Sequence, residues 1–203
     1  MAATPPRSCW SVGFTAQKSA CDLRQITFRG RIIPIRIKKA SHKRRGNKVR
    51  MQDGGIVIER TSKSPLQPER SLEKWLRREA RREILKQLSV VTASIKRRPK
   101  NLYIMGQRTK WGNCSSKQNL SFNWRLILAP DFVLRYLVTH EAVHLVVLNH
   151  SPRFWLTVQS LCADANQARL WLAKHGRDIF LNPIDRASHK SSHTNIRGTL
   201  SAS

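Results

Sequence analysis

The sequence predicts a single α+β domain, with short strands and helices in separate blocks around one buried helix. Three observations carry this. Short β-branched runs punctuated by turn residues occupy residues 32–58. Apolar residues at three- and four-residue spacing mark a helix over Leu72–Leu88. A second strand block, 102–124, leads into an apolar helical run that begins at Pro130 and extends to Leu148. Period 2 and period 3.6 are the signatures that separate the two element types.

Residues 1–28 hold Pro5-Pro6, scattered Ser and Ala and no sustained periodicity, so they are expected to stay unfolded. Ile32-Ile-Pro-Ile-Arg-Ile37, Lys48-Val-Arg-Met51 and Ile56-Val-Ile58 then read as three strands of an antiparallel sheet, with turns at 42–46 and 53–55. Asp53-Gly54 is a strong hairpin signal. The helix that follows sets Leu72, Trp75, Leu76, Ala80, Ile84 and Leu88 on one stripe. Arg77, Arg78, Arg81 and Arg82 fall on the other face.

Leu102-Tyr-Ile-Met105 has strand composition, Trp111-Gly112-Asn113 carries turn chemistry, and Leu120-Ser-Phe-Asn-Trp124 alternates like a half-buried strand. Trp111, Trp124 and Cys114 are read as core residues. Pro130 suits a first helical position and Asp131 the positive end of a helix. The run from Phe132 to Leu148 is apolar on nearly all sides, which argues for a buried helix closed by Asn149 in the left-handed conformation. Ser151-Pro152 opens a further helix with a stripe of Phe154, Leu156 (or Trp155), Val158 and Leu161. Asp164 begins the last helix, with Gly176 ending it as C′. Residues 182–203 are polar and expected to form an unfolded tail. The folded unit is thus 29–181: a basic strand and helix portion, 29–100, and a catalytic portion, 101–181.

The chemistry concentrates in His140-Glu-Ala-Val-His-Leu-Val-Val-Leu-Asn-His150. Histidines four apart project from one helical face and reach one ion. His140 and His144 are therefore candidate zinc ligands, with His150 as the third where the chain turns back, and Asp164 next in line. A catalytic zinc takes three protein ligands and leaves a fourth position for water. Glu141, beside the first ligand, is the candidate general base that deprotonates that water. The competing reading, buried histidines satisfied by backbone carbonyls, leaves the third histidine unexplained. A structural zinc would be expected to recruit cysteine, and none of Cys9, Cys21, Cys114 or Cys162 is near in sequence.

Five blocks in fixed order resemble the YgjP-like metallopeptidase family, which is related in motif to the SprT-like and Wss1-type zinc proteases. They are Arg108-Thr-Lys-Trp-Gly-Asn-Cys-Ser-Ser116, Asn119-Leu-Ser-Phe-Asn-Trp-Arg-Leu126, His140-Glu-Ala-Val-His144, Asn149-His-Ser-Pro-Arg-Phe-Trp155 and Trp171-Leu-Ala-Lys-His-Gly176. The resemblance implies a zincin-like α+β core, one zinc held by His140, His144 and His150, and Glu141 as base. The histidine spacing also fits the metzincin pattern, but that pattern wants Gly where this chain has Val147. Arg108 and Arg125 are candidate substrate contacts lining the cleft, with surface charge on a hairpin as the plain alternative.

Charge organises the rest. Of the formal net +26, residues 31–110 contribute +18, from 24 Lys and Arg against 6 Asp and Glu. Such a segment attracts polyanions, so nucleic acid is a candidate partner alongside the peptide or protein substrate. No apolar stretch approaches the roughly 20 residues of a membrane span, and no signal-peptide pattern precedes the domain. The scattered cysteines indicate no disulfide framework, which fits a cytoplasmic location. The reading is a zinc-dependent hydrolase, most simply a metallopeptidase. A metal-dependent phosphohydrolase acting on nucleotides and a nucleic-acid-associated protein with a non-catalytic zinc are its alternatives.

Overall fold

A computed structural model describes residues 23–40, 46–107, 109–180, 182 and 184. It is an α+β fold in which two small sheets and three helices surround the helix that carries His140 and Glu141. The N-terminal sheet holds β1 (Gln25–Phe28), β2 (Arg31–Lys39), β3 (Lys48–Gln52) and β4 (Gly55–Arg60) in the order β1-β2-β4-β3. β4 is the innermost strand: Ile56, Val57 and Ile58 are fully buried, as their β-branched composition favours. The Asp53-Gly54 hairpin joins β3 to β4 with both residues at positive φ (49° and 68°), the type I′ signature. The sheet is largely antiparallel, but β2 pairs β4 in parallel. β2 and β3 are thus not neighbours, β3 lies outside β4, and most of the turn expected at 42–46 lies outside the described residues. Gly55 makes this packing possible, since a Cβ there would sit 2.8 Å from the Pro34 carbonyl oxygen.

β1 corrects the expected boundary of the unfolded N-terminus. Residues 25–28 pair antiparallel with 31–34 through Arg29-Gly30, both at positive φ, and Leu23 is buried. The expectation for residues 1–22 lies outside the described residues. This hairpin clamps the start of the central helix. Arg29 N–H donates to Ile127 O (2.8 Å) and Gly30 N–H to Leu128 O (3.0 Å), while the Arg29 guanidinium donates twice to Asp131, both bonds 2.7 Å.

α1 (Pro68–Ile95) starts with proline in its first turn and ends where Lys96 takes the left-handed conformation. The whole predicted stripe, Leu72 to Leu88, is buried against the rest of the core. The second sheet contains β5 (Asn101–Met105), β6 (Gly112–Cys114) and β7 (Asn119–Asn123) in the order β5-β7-β6. Gly112, expected in a turn, instead opens β6, the outer strand antiparallel to β7. After β7 a 3-10 turn, Trp124–Leu128, is buried throughout and delivers the chain to α2.

α2 (Asp131–Val143) is preceded by Pro130 as its cap residue rather than as its first turn. It ends five residues before the expected Leu148. Past Val143 the backbone tightens, with Leu145 N–H bonding Ala142 O and Val146 N–H bonding Val143 O. Val146 and Leu148 are 43% and 83% exposed, so the final part of the apolar run is a surface turn, and Asn149 is not left-handed. α3 (Pro152–Leu161) starts where Ser151-Pro152 predicts, burying Phe154 and Val158 but leaving Leu156 exposed. α4 (Ala165–Ile179) runs through Gly176, which lies inside the helix facing Trp111 instead of ending it. Beyond α4 the side chains of Asn182 and Ile184 are buried, so the core reaches into the expected tail; residues 185–203 lie outside the described residues. No helix among the described residues is long and apolar enough to cross a membrane.

Candidate metal centre

The last turn of α2 presents His140 and Glu141, and His144 occupies its C-cap. Four-residue spacing stacks the two imidazoles on one face, ring centroids 5.1 Å apart. The turn after Val143 then brings His150 back, so that its Nε2 lies 3.2 Å from Nε2 of His140. Donor atoms of His140, His144 and His150 all lie within 4.8 Å of one another. Tetrahedral zinc with bonds of about 2.0–2.1 Å holds its nitrogens roughly 3.3 Å apart. The donor set fits such an ion.

The protein orients the rings from behind. Nδ1 of His144 is 3.1 Å from the Val147 carbonyl, an acceptor only, so this nitrogen carries the proton and Nε2 keeps its lone pair. Tyr136 OH lies 3.5 Å from Nδ1 of His140. Phe154, fully buried, stacks on His144 at 4.5 Å and meets His140 and His150 edge-on at 4.9 and 4.7 Å. Proline in the first turn of α3 fixes where Phe154 and Trp155 emerge, and Trp155 flanks His140 and His150. Burial, then His144, His150 and Arg169, push the His140 pKa down to about 4. Burial also lowers His144, opposed by the Val147 carbonyl. Both rings are therefore neutral at pH 7, the state that binds a metal.

Glu141, 7% exposed, faces β6. Trp111 O and Ser115 N–H bond across to β7, so alternation turns the backbone of Gly112 and Cys114 outward, toward α2. A Cβ on Gly112 would lie 2.6 Å from Glu141 Cγ and 2.7 Å from its Oε1. Burial lifts the Glu141 carboxyl to about 7, against a backbone hydrogen bond from Cys114 that pulls it down. A carboxyl that changes protonation near neutrality beside three candidate metal ligands is suited to proton transfer.

A family model described as YgjP-like, metallopeptidase domain, matches residues 13–175. The chain belongs to the YgjP-like family. No curated protein and no solved structure matches it. The YgjP-like match begins upstream of residue 29, in keeping with the ordered β1, and stops just short of the end of α4.

The two arginines expected in the substrate cleft fare differently. Arg108 lies outside the described residues. Arg125 is corrected to an interior position at 4% exposure: its guanidinium donates to Gly106 O (3.1 Å) and Asn123 Oδ1 (3.3 Å) and lies 4.7 Å over the Trp124 ring. Those partners compensate its burial, which charge alone in the sequence does not reveal. Asp164, the reserve ligand, is paired with Arg135. Sequence reasoning missed four neighbours of the YgjP-like centre: Tyr136, Gly112, Phe154 and Arg169. Phe154 offered a signal, since an aromatic in the first turn after the third histidine must face it. The other three depend on contacts between elements.

Proposed function

We propose that the chain is a zinc-dependent metallopeptidase holding one zinc through His140, His144 and His150, with Glu141 as general base. The observation that carries this is the convergence of three imidazoles, with His140 and His144 kept neutral by burial, beside a buried carboxyl with a raised pKa. When bound, zinc lowers the pKa of a coordinated water to about 7 and polarises the substrate oxygen. The residues do the rest. Glu141 takes a proton during attack on the scissile carbonyl and returns it to the leaving amine. The outward edge of β6 pairs with an extended substrate, Gly112 offering its backbone N–H and C=O. Phe154 and Trp155 wall the histidines and limit water on that side.

Glu141→Gln retains shape and zinc but cannot accept a proton, so hydrolysis should fall by about 10²–10⁴. Zinc content and turnover of unfolded protein, short peptides and nucleoside triphosphates are compared between wild type and variant. Glu141-dependent cleavage of triphosphates alone would replace the peptidase with the phosphohydrolase reading. Wild-type turnover in the variant refutes the assigned base.

For the basic segment we propose a polyanion face on the N-terminal sheet. On α1, Arg77 is paired with Glu73, Arg82 with Glu79, and Arg81 donates to Leu102 O. Strand register instead sets Arg36 and Arg50 beside Val57, and Lys38 and Lys48 beside Glu59, on one face. Lys43, Arg44 and Arg45 lie outside the described residues. Arg50 is paired with Glu59 at 2.6 Å, so Arg36, Lys38 and Lys48 are the cations that would meet the phosphates of nucleic acid.

A further inference from the structure

Arg169 has no part in the chemistry above, yet it stands at the rim of the histidine cluster. It is exposed on α4, and its guanidinium carbon lies 4.7 Å over the Trp155 ring. That ring in turn lies 5.7 Å from His150 and 5.9 Å from His140. One aromatic ring therefore separates this cation from two candidate ligands. Stacking occupies the face of a guanidinium and leaves its in-plane N–H donors free. No ion pair or hydrogen bond among the described residues uses them. Its neighbours contrast with it: Arg135 is paired with Asp164, and Arg125 is buried under its own acceptors.

We propose that Arg169 is the substrate-anchoring residue of this site, held by Trp155 to take a peptide carboxylate in a bidentate pair. The inference rests on the peptidase reading and narrows it to substrates with an acidic group on one side of the scissile bond. An extended peptide advances about 3.3 Å per residue, so that group sits about one to three residues from the reacting carbonyl. Either a C-terminal carboxylate or an Asp or Glu side chain supplies the chemistry. A planar fork held against an aromatic ring pre-organises the donors, which a free lysine does not.

The test reads binding, not turnover. Zinc-loaded Glu141→Gln protein is titrated at 150 mM salt with three peptides of one sequence, each carrying a neutral fluorophore at its N-terminus. One is amidated and neutral, one has a free C-terminal carboxylate, and one is amidated with an internal Glu. At least tenfold tighter binding of one acidic peptide is expected, and which one identifies the source of the carboxylate. Arg169→Ala should bring the three to equal affinity, and Arg169→Lys should recover only part of the preference. Lys86→Ala, which removes the same charge from an exposed position on α1, should leave the preference intact, as should zinc content in every variant. Equal affinities before mutation, or a preference that survives Arg169→Ala, overturn the inference and leave the peptidase reading standing. No binding of any of the three peptides overturns both.

Discussion

Gly112→Ala tests the geometry of the site without touching a candidate ligand. The added Cβ would lie 2.6 Å from Glu141 Cγ, 2.9 Å from Cδ and 2.7 Å from Oε1. Ordinary carbon contacts are about 3.5–4.0 Å, so something must give by about 1 Å. β6 is tied to β7 by backbone bonds on either side of the substitution, Asn123 N–H to Trp111 O (2.8 Å) and Ser115 N–H to Asn119 O (2.9 Å). The Glu141 side chain is the softer partner. It swings away and loses its bond from Cys114, which misplaces the proposed base while the histidines keep their positions. A misplacement of about 1 Å costs on the order of 10² in rate, and complete loss of a general base up to about 10⁴. The expected result is kcat/KM on an unfolded protein substrate down by about 10²–10³, with zinc by elemental analysis unchanged and destabilisation of about 1–3 kcal/mol from overpacking. Asn113→Ala, on the opposite face of β6 and exposed, should stay close to wild type. Turnover within about threefold of wild type in a zinc-replete Gly112→Ala protein would refute the placement of Glu141 as base.

In zinc-free protein, His140 at about 4 against an ordinary 6.5 means the unfolded chain takes up the proton first, so this group makes stability fall as pH drops from 6.5 toward 4. Glu141, raised from 4.5 to about 7, has the opposite sign and makes stability fall as pH rises between those values. The slopes oppose each other between 4.5 and 6.5, so Glu141→Gln should reveal a melting temperature that climbs with pH more steeply than in wild type; parallel profiles would contradict the shifts. Gly30→Ala combines φ of 75° with a Cβ 2.8 Å from Pro130 Cγ, and should cost on the order of 1–3 kcal/mol, seen as a lower melting temperature; an unchanged one would show that the β1–β2 hairpin does not brace α2. Reversing Arg36, Lys38 and Lys48 to Glu should flatten the log–log salt dependence of duplex DNA binding, by about 0.9 for each phosphate no longer neutralised, with zinc content unchanged; an unaltered slope would remove the sheet face as the polyanion site.

Local spacing explains what is legible in the sequence. His140, Glu141 and His144 lie within two turns of one helix, and Ser151-Pro152 marks the restart that brings His150 back, so their proximity needs no long-range information. The α1 stripe and the Asp53-Gly54 hairpin are legible for the same reason. What is not legible depends on partners distant in sequence. β1 is four residues with a turn at Arg29-Gly30, and its order comes from pairing with β2 and from bonds to Ile127 and Leu128. Parallel pairing of β2 with β4 joins residues about twenty apart in sequence, Ile35 with Ile56, which local turn signals do not reveal. Arg125 reads as surface because charge usually is, yet two oxygen acceptors and the Trp124 ring satisfy it inside.

Gly112 shows why the setting of Glu141 is harder to read than the histidine spacing. A glycine signals either a turn or a close approach, and the sequence alone does not say which. Here it is the approach: the carboxylate of Glu141 fills the space a side chain would occupy, and burial there lifts its pKa toward neutrality. The motif supplies the residue types, but the missing Cβ on the neighbouring strand lets Glu141 approach closely and be desolvated there. Changing the wall should therefore tune the base: Gly112→Ala, by forcing Glu141 toward solvent, should lower its pKa as well as its rate contribution. The acidic limb of the pH–rate profile should then move to lower pH, while an unmoved limb at reduced rate would mean displacement without resolvation.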